Sequence, residues 1–202
     1  MLFHSRDGTI VLLIQDALDV PDYTSLRELL DSLEYLGKDC YKNIHLDRQQ
    51  LWFHKEMKPF CTKWKKIHPR WQSNQYTDVL ADSQAKILER VQQFSDEHQL
   101  DWDLSNHNSC LVNKYQNGND HIPPHSDSKL SFGEEPIIIG YSMGEQRKLI
   151  LDGSKGKIEL ELEDNSIFVM AGRSQLDYKH SIPVEEDKKG KRYSMTIRHH
   201  LE

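Results

Sequence analysis

Eight short segments between residues 109 and 199 constrain the fold of this chain more than any other feature. Each is six to nine residues long, and Gly, Asn or Asp residues mark turns between many of them. This pattern predicts a succession of short β-strands. The segments are 109–115, 121–126, 136–143, 147–152, 157–162, 166–171, 178–183 and 191–199. So many short strands in succession favour a jelly roll of two packed sheets.

The first 107 residues have a different pattern. Leucines at helical spacing predict a helix over 22–36, with Asp22 as its cap and Gly37 at its end. A second periodic stretch predicts a helix over 77–99, which should pack on the outside of a sheet. Strands are expected at 9–14 and 49–53. The chain is therefore expected to be α+β and mainly β, with buttressing helices.

Length and composition restrict the class of protein. The 202 residues are expected to form one domain, divided at about residue 107 into an N-terminal part and a core over about 108–200. A net charge of −6 argues against extensive contact with nucleic-acid phosphates. No apolar run has membrane-spanning length. Three dispersed cysteines favour free thiols and an intracellular location, cytoplasmic or nuclear. The protein is expected to be a monomer.

One of the predicted strands ends in a His-x-Asp pattern. His125 and Asp127 are two positions apart on an extended chain, so their side chains face the same way. An imidazole and a carboxylate can bind a divalent metal together, and His180 on a later predicted strand is the best third ligand. Two histidines and one carboxylate leave part of the metal open, which suits Fe(II) and dioxygen chemistry. The alternative is a hydrogen-bonded surface pair.

Other histidines compete for the third position. His121 precedes two prolines and is more typical of a turn, whereas His199 and His200 lie at the end of the sequence, where fraying is common. His180 therefore remains the expected ligand.

The last predicted strand carries two arginines on one face. Arg192, Ser194, Thr196 and Arg198 alternate, so all four share a side. Guanidinium groups are suited to gripping a carboxylate with two parallel hydrogen bonds. This face predicts a site for a small dicarboxylate that also reaches the metal. Ordinary surface charge is the alternative interpretation.

Six motifs occur in order along the chain: 113-Asn-x-Tyr-115, 125-His-x-Asp-127, the apolar run 136–144, 175-Gln-x-x-Tyr-178, the segment 180–183, and Arg192-x-Ser-x-Thr-x-Arg198. Together they resemble the AlkB family of Fe(II)/2-oxoglutarate dioxygenases. The resemblance covers about residues 50–200 and is stronger from 108 onward.

The resemblance implies roles for particular residues. His125, Asp127 and His180 would bind Fe(II) and act as the catalytic centre. Arg192 would hold the distal carboxylate of 2-oxoglutarate with help from Tyr115, and Arg198 and Asn113 would lie nearer its chelating end, with Ser194 on the same wall. Tyr115 and Asn113 could instead be hydrogen-bonding core residues. Dioxygen would complete the set of reactants.

The resemblance also implies oxidative demethylation of alkylated bases in RNA or single-stranded DNA, with release of formaldehyde, succinate and CO₂. A nucleotide-recognition lid is expected over residues 51–60, with Trp52, Phe53 and Phe60 as stacking residues. The basic, aromatic stretch 54–71 supports such a lid, although it could equally be a solvated loop.

One position departs from the family. Many relatives carry a carboxylate two positions after the metal-binding Asp, where this chain has Lys129. A cation there would repel a positively charged methylated base, which leaves a neutral base, an RNA substrate, or a nearby acid such as Glu134 or Glu135. Two rival functions remain: a dioxygenase that hydroxylates a protein side chain or small molecule, and a non-catalytic nucleic-acid-binding module.

Overall fold

The structure, a computed structural model, describes residues 2–39, 44–61 and 69–201. The N-terminal strands are β1 (Leu2–Arg6), β2 (Thr9–Ile14), β3 (Leu36–Asp39), β4 (Ile44–His54) and β5 (Ser73–Asn74). The later strands are β6 (Ser109–Tyr115), β7 (Ile122–His125), β8 (Ile138–Gly144), β9 (Arg147–Gly153), β10 (Gly156–Leu162), β11 (Ser166–Gly172), β12 (Tyr178–Ile182) and β13 (Arg192–Arg198). The helices are α1 (Val20–Ser32), α2 (Asp78–Glu97), α3 (Lys129–Phe132) and α4 (Ser174–Asp177), and Pro69–Trp71 forms a 3₁₀ turn.

The strands form two sheets that confirm the predicted jelly roll. The large sheet has the order β1-β2-β11-β8-β13-β6-β4-β3, with β5 beside β4, and the small sheet has the order β10-β9-β12-β7. Each pairing is antiparallel except that of β4 with β5. Neighbouring strands in space are often distant in sequence, so the two sheets bring remote segments together.

The large sheet separates two apolar cores. On its outer face, α1 and α2 pack through residues such as Leu26, Leu30, Ile87 and Val91. On its inner face, the small sheet contributes Leu149, Leu151 and Leu160 to a second core. The predicted helices therefore buttress the sheet as expected.

Strand β13 shows how alternation divides these faces. Tyr193, Met195 and Ile197 point to the helices, where they belong to the outer core. Arg192, Ser194, Thr196 and Arg198 point inward and line a cavity between the sheets. The shared inward face of these four residues is confirmed.

Helix α1 begins and ends earlier than the sequence predicts. The expected cap Asp22 lies inside the first turn, and its backbone N–H donates to the carboxylate of Asp19 at 2.9 Å. Pro21 suits a first turn because it needs no N–H acceptor there. The chain becomes extended at Leu33, and Leu36 pairs with Gln50 in the sheet. The expected end at Gly37 was therefore wrong, because strand pairing replaces the last helical turn.

Two smaller expectations concern membranes and thiols. No helix in the described part of the chain is long and apolar enough to cross a membrane. Cys61 and Cys110 are free thiols, as predicted, whereas Cys40 lies outside the described residues.

Candidate active site

The structure brings the three predicted metal ligands together. His125 ends β7 and lies directly opposite His180 on β12, with ring centroids 4.3 Å apart. Asp127 follows two residues after His125, and one potential ligand atom from each of the three lies within 4.8 Å of the others. Antiparallel pairing thus places two histidines side by side across a strand interface.

Hydrogen bonds hold these side chains in place. The Nδ1 atom of His125 lies 2.9 Å from the carbonyl oxygen of Pro123, which leaves Nε2 toward Asp127 at 3.8 Å. The backbone N–H of Asp127 donates to the side-chain oxygen of Gln175 at 3.0 Å. The guanidinium of Arg198 donates to the Asp127 carboxylate at 2.6 Å. Such outer contacts orient metal ligands before any ion binds.

The protonation states suit a metal centre. Burial lowers the pKa of His180 to about 3 and also lowers the pKa of His125, so both rings are neutral at neutral pH. Burial alone would raise the pKa of Asp127, but Arg198, through its charge and its hydrogen bond, together with His180 and His125 lowers the pKa below its usual value. Neutral imidazoles and an ionised carboxylate are the forms that bind metal.

The donor set fits Fe(II). Nδ1 of His180 is buried and has no hydrogen-bond partner within the described residues. A buried polar atom without a partner costs free energy, which a bound group can recover. Two histidines and one carboxylate with open positions are typical of non-haem Fe(II) oxygenases.

A cavity beside this cluster could hold 2-oxoglutarate. It lies between the two sheets and is lined by Asn113, Tyr115, Arg192, Ser194 and Arg198 among others. All five residues that the sequence predicts for the cosubstrate therefore lie in one place, next to His125 and His180.

Arg192 and Arg198 each have a buried nitrogen that could donate a hydrogen bond to a ligand. Arg192 is 1% exposed, and its Nε donates to the hydroxyl of Ser142 at 2.9 Å. Its guanidinium lies over the ring of Tyr115 at 4.9 Å. Nη1 of Arg192 and Nη1 of Arg198 are both buried and lack a hydrogen-bond partner in the part of the chain that the structure describes. This wall fits a ligand with carboxylate groups.

Sequence reasoning missed Arg48 at this site. Arg48 lies on β4, lines the cavity, and donates from Nε to the side-chain oxygen of Asn113 at 2.8 Å. The isolated arginine carried no motif, and the predicted strand began after it. Only the pairing of Gln50 with Asn113 shows which way it faces.

Arg147 was also missed as a supporting residue. Arg147 is 1% exposed, and its Nε donates to the carboxylate of Glu185 at 2.9 Å. Its guanidinium lies over the ring of Tyr115, 5.7 Å from the ring centroid. Its Nη groups donate to the carbonyl oxygens of Asn117, Gly118, Asp120 and Pro183. Arg147 therefore links the loop after β6 to the loop after β12, next to Tyr115 of the predicted cosubstrate site.

Two of the expected stacking residues need correction. Trp52 is fully buried and Phe53 is 2% exposed, so neither presents an open ring face. Phe53 packs in the outer core, because odd positions of β4 face the helices, whereas Trp52 donates to the Lys58 carbonyl oxygen at 3.0 Å. Phe60 is half-buried and stacks on Trp71 at 4.3 Å.

The basic, aromatic stretch 54–71 is only partly described, and Lys129, where the chain departs from the family, lies elsewhere. Lys63, Trp64, Lys65 and Lys66 lie outside the described residues. Lys129 begins α3, is exposed, and pairs with Glu134 at 2.7 Å, so it does not line the cavity. The same pairing engages Glu134, and Glu135 is exposed as well. Neither acid lines the cavity in place of a carboxylate at position 129.

Comparison with known proteins places this geometry in a family. Residues 12–198 match the model of the 2OG-Fe(II) oxygenase superfamily. Alpha-ketoglutarate-dependent dioxygenase alkB homolog 3 from human is 31% identical over 102 residues, which cover 45% of this chain and 36% of that protein. DNA oxidative demethylase ALKBH2 from Arabidopsis thaliana is 29% identical over 119 residues, which cover 46% of this chain and 38% of that protein. The match thus spans little more than a third of either relative.

Solved structures support the fold. The structure of OsALKBH1 has a TM-score of 0.66 at 16% identity and covers 98% of this chain and 99% of that one. A prolyl hydroxylase from Trichoplax adhaerens, in complex with a peptide fragment of the hypoxia inducible factor oxygen degradation domain, has a TM-score of 0.59 at 10% identity and covers 94% and 83%. The predicted Fe(II), 2-oxoglutarate and dioxygen are the reactants of this superfamily. The chain belongs to the 2OG-Fe(II) oxygenase superfamily and, within it, to the AlkB family.

Proposed function

We propose that the protein is an Fe(II)/2-oxoglutarate dioxygenase that removes N-methyl groups from bases in RNA or single-stranded DNA. One observation carries the oxidation chemistry: His125 and His180 of the candidate metal cluster line the same cavity as Arg192, whose buried Nη1 has no hydrogen-bond partner among the described residues. A metal and a dicarboxylate can therefore be held side by side.

Each residue has a distinct part in this proposal. His125, Asp127 and His180 would hold Fe(II), and Arg192 would bind the far carboxylate of 2-oxoglutarate. Arg198 keeps Asp127 ionised and leaves one donor for the near end of the cosubstrate. Tyr115 and Asn113 would complete the wall, and the surrounding apolar side chains, such as Leu149 and Phe168, exclude water.

The reaction balances through the cosubstrate. Fe(II) held by His125, Asp127 and His180, with 2-oxoglutarate beside it, would supply the activation of dioxygen that attack on a C–H bond requires. One oxygen atom would enter an N-methyl group as hydroxyl, and the other would enter succinate as CO₂ is lost. The hydroxymethyl group would then leave as formaldehyde, and its hydroxyl proton would pass to the nitrogen of a neutral base or to solvent from a cationic base.

Two observations support nucleic acid as the substrate. The name of the Arabidopsis relative describes that protein as a DNA oxidative demethylase. Aromatic Phe60 and Trp71 lie next to Phe132, whose ring is 4.9 Å from the guanidinium of Arg198, so aromatic surface extends to the edge of the active site. Flipped bases are held by such surfaces.

The proposal is tested by product coupling. Protein supplied with Fe(II), 2-oxoglutarate and oligonucleotides carrying single methylated bases should yield succinate and formaldehyde in equal amounts. Asp127→Ala should abolish both products. Succinate without formaldehyde from every oligonucleotide would contradict the nucleobase substrate and favour a protein or small-molecule substrate.

A further inference from the structure

The ring of Phe168 lies directly on Gly140 of the neighbouring strand. The two residues are paired across β11 and β8. A Cβ atom on Gly140 would overlap the Cζ, Cε1 and Cε2 atoms of the Phe168 ring. The ring therefore occupies the space that a side chain at position 140 would fill.

The backbone of Gly140 does not itself require a glycine. Its φ is not among the positive values that favour glycine, and the residue lies within β8, where an alanine could adopt the same extended conformation. The close approach of the Phe168 ring is therefore what requires a glycine at this position. Any side chain there would have to displace the ring.

Phe168 forms part of the wall of the cavity between the sheets. It lines this cavity together with Arg192 and Arg198. On its other side, Gly140 is paired with Thr196, which lies between the two arginines on β13. The ring is thus level with the interval between the arginine expected to bind the far carboxylate of 2-oxoglutarate and the arginine next to the candidate metal centre. The two methylene carbons of the cosubstrate, C3 and C4, would lie in that interval.

Apolar side chains of the inner core surround the ring on its other sides. Leu13 is the partner of Phe168 on β2, and Leu149 of the small sheet belongs to the same core. Protein interiors are close-packed and leave little room for an aromatic ring to move. The cavity is therefore the direction in which the ring can be displaced, and any group that pushes the ring away from Gly140 narrows the cavity.

We propose that Phe168, packed on Gly140, sets the width of the cavity and is a specificity-determining residue for the cosubstrate. The ring admits the unbranched chain of 2-oxoglutarate and excludes a 2-oxo dicarboxylate that carries a methyl group on the carbon facing the ring. This inference rests on the proposed function and narrows the range of cosubstrates that the site accepts.

The test measures binding by calorimetry, without dioxygen, in protein loaded with Fe(II). The ligands are 2-oxoglutarate and its two singly methylated forms, with the methyl group on C3 or on C4. The unchanged protein should bind at least one methylated form about tenfold or more weakly than 2-oxoglutarate, because one additional methyl group in a close-fitting apolar site supplies that factor. Phe168→Val removes the outer part of the ring and should bring the ratio for that form close to one.

Gly140→Ala should act in the opposite direction. Its added methyl group pushes the ring into the cavity, so 2-oxoglutarate itself should bind about tenfold or more weakly. The double variant Gly140→Ala, Phe168→Val should recover this affinity, because valine lacks the ring atoms that the new Cβ would overlap. Phe53→Val, at a phenylalanine of the outer core, is the matched control and should keep the binding ratios of the unchanged protein. The melting temperature of each metal-free variant checks that it is folded.

Each outcome bears on a different part of the inference. Equal binding of all three ligands by the unchanged protein would overturn the inference and leave the proposed function intact. A preference for 2-oxoglutarate that survives in Phe168→Val would overturn the role of Phe168, and weak binding that persists in the double variant would overturn the role of Gly140. No binding of 2-oxoglutarate to the unchanged protein loaded with Fe(II) would overturn the proposed function and the inference together.

Discussion

Arg198 and Asp127 form a buried ion pair at 2.6 Å, with their side chains 6% and 7% exposed. The pair joins the end of β13 to the loop after β7. It therefore connects the inward face of β13, which lines the cavity, to the candidate metal centre. Loss of one partner leaves an uncompensated buried charge.

Arg198→Met should therefore raise the pKa of Asp127 and weaken metal binding. A carboxyl with a lowered pKa in the fold adds stability above its ordinary pKa, and that stability is lost as the pH falls through the folded value. Without Arg198 this contribution should disappear, and the metal-free protein should lose about 3–5 kcal/mol. Urea unfolding at pH 7 measures the loss. The double variant Asp127→Asn, Arg198→Met should recover much of it, and no recovery would contradict the pairing account.

Arg192→Met should separate stability from cosubstrate binding. Burial lowers the pKa of Arg192 and its Nη1 lacks a partner, so the cation destabilises the empty protein. The melting temperature without ligand should stay unchanged or rise, although the hydrogen bond to Ser142 is lost. The further rise in melting temperature on adding 2-oxoglutarate to the metal-loaded protein should become much smaller. A large loss of stability without ligand would show that Arg192 is mainly structural.

Arg147→Met should destabilise the protein strongly. Glu185 and four backbone carbonyl oxygens would lose their shared donor, at a cost of about 3–5 kcal/mol. The matched control is Arg173→Met, whose ion pair with Asp177 involves an arginine side chain that is 47% exposed. The control should leave the free energy of unfolding nearly unchanged, because exposed ion pairs add little stability. Similar losses in both variants would contradict the account.

Substitution of Phe60 should affect oligonucleotide binding, whereas substitution of Phe53 should affect the stability of the fold. Phe60→Ala should weaken oligonucleotide binding while 2-oxoglutarate consumption without substrate stays the same. Phe53→Ala should lower the free energy of unfolding by about 3–5 kcal/mol, because the ring is in the outer core. Calorimetry and binding assays on both variants check this difference. Tighter or unchanged oligonucleotide binding by Phe60→Ala would remove Phe60 from the proposed substrate surface.

The sequence predicts this site well where the alternation of side chains along a strand determines which of them face the cavity. Arg192, Ser194 and Arg198 share the inward face of β13 because a strand turns alternate side chains the same way. His180 comes to His125 because the jelly roll pairs β12 with β7. Strand periodicity and the order of the motifs carry both results.

Other features depend on pairings that no local pattern shows. Arg48 reaches the cavity only through the register of β4 on β6, which long-range contacts set. Trp52 lies beside a lysine-rich stretch, yet the packing of Leu111 and Phe132 encloses it. The helical leucine pattern continues past Ser32, but the pairing of Leu36 with Gln50 ends the helix there.

The most direct test of the central account is a calorimetric titration of 2-oxoglutarate, without dioxygen, into protein with and without Fe(II). The account predicts binding that requires the metal, is lost in Asp127→Asn, and is weakened about tenfold or more in Arg192→Met. Equal affinity with and without Fe(II), or full affinity in Arg192→Met, would contradict it.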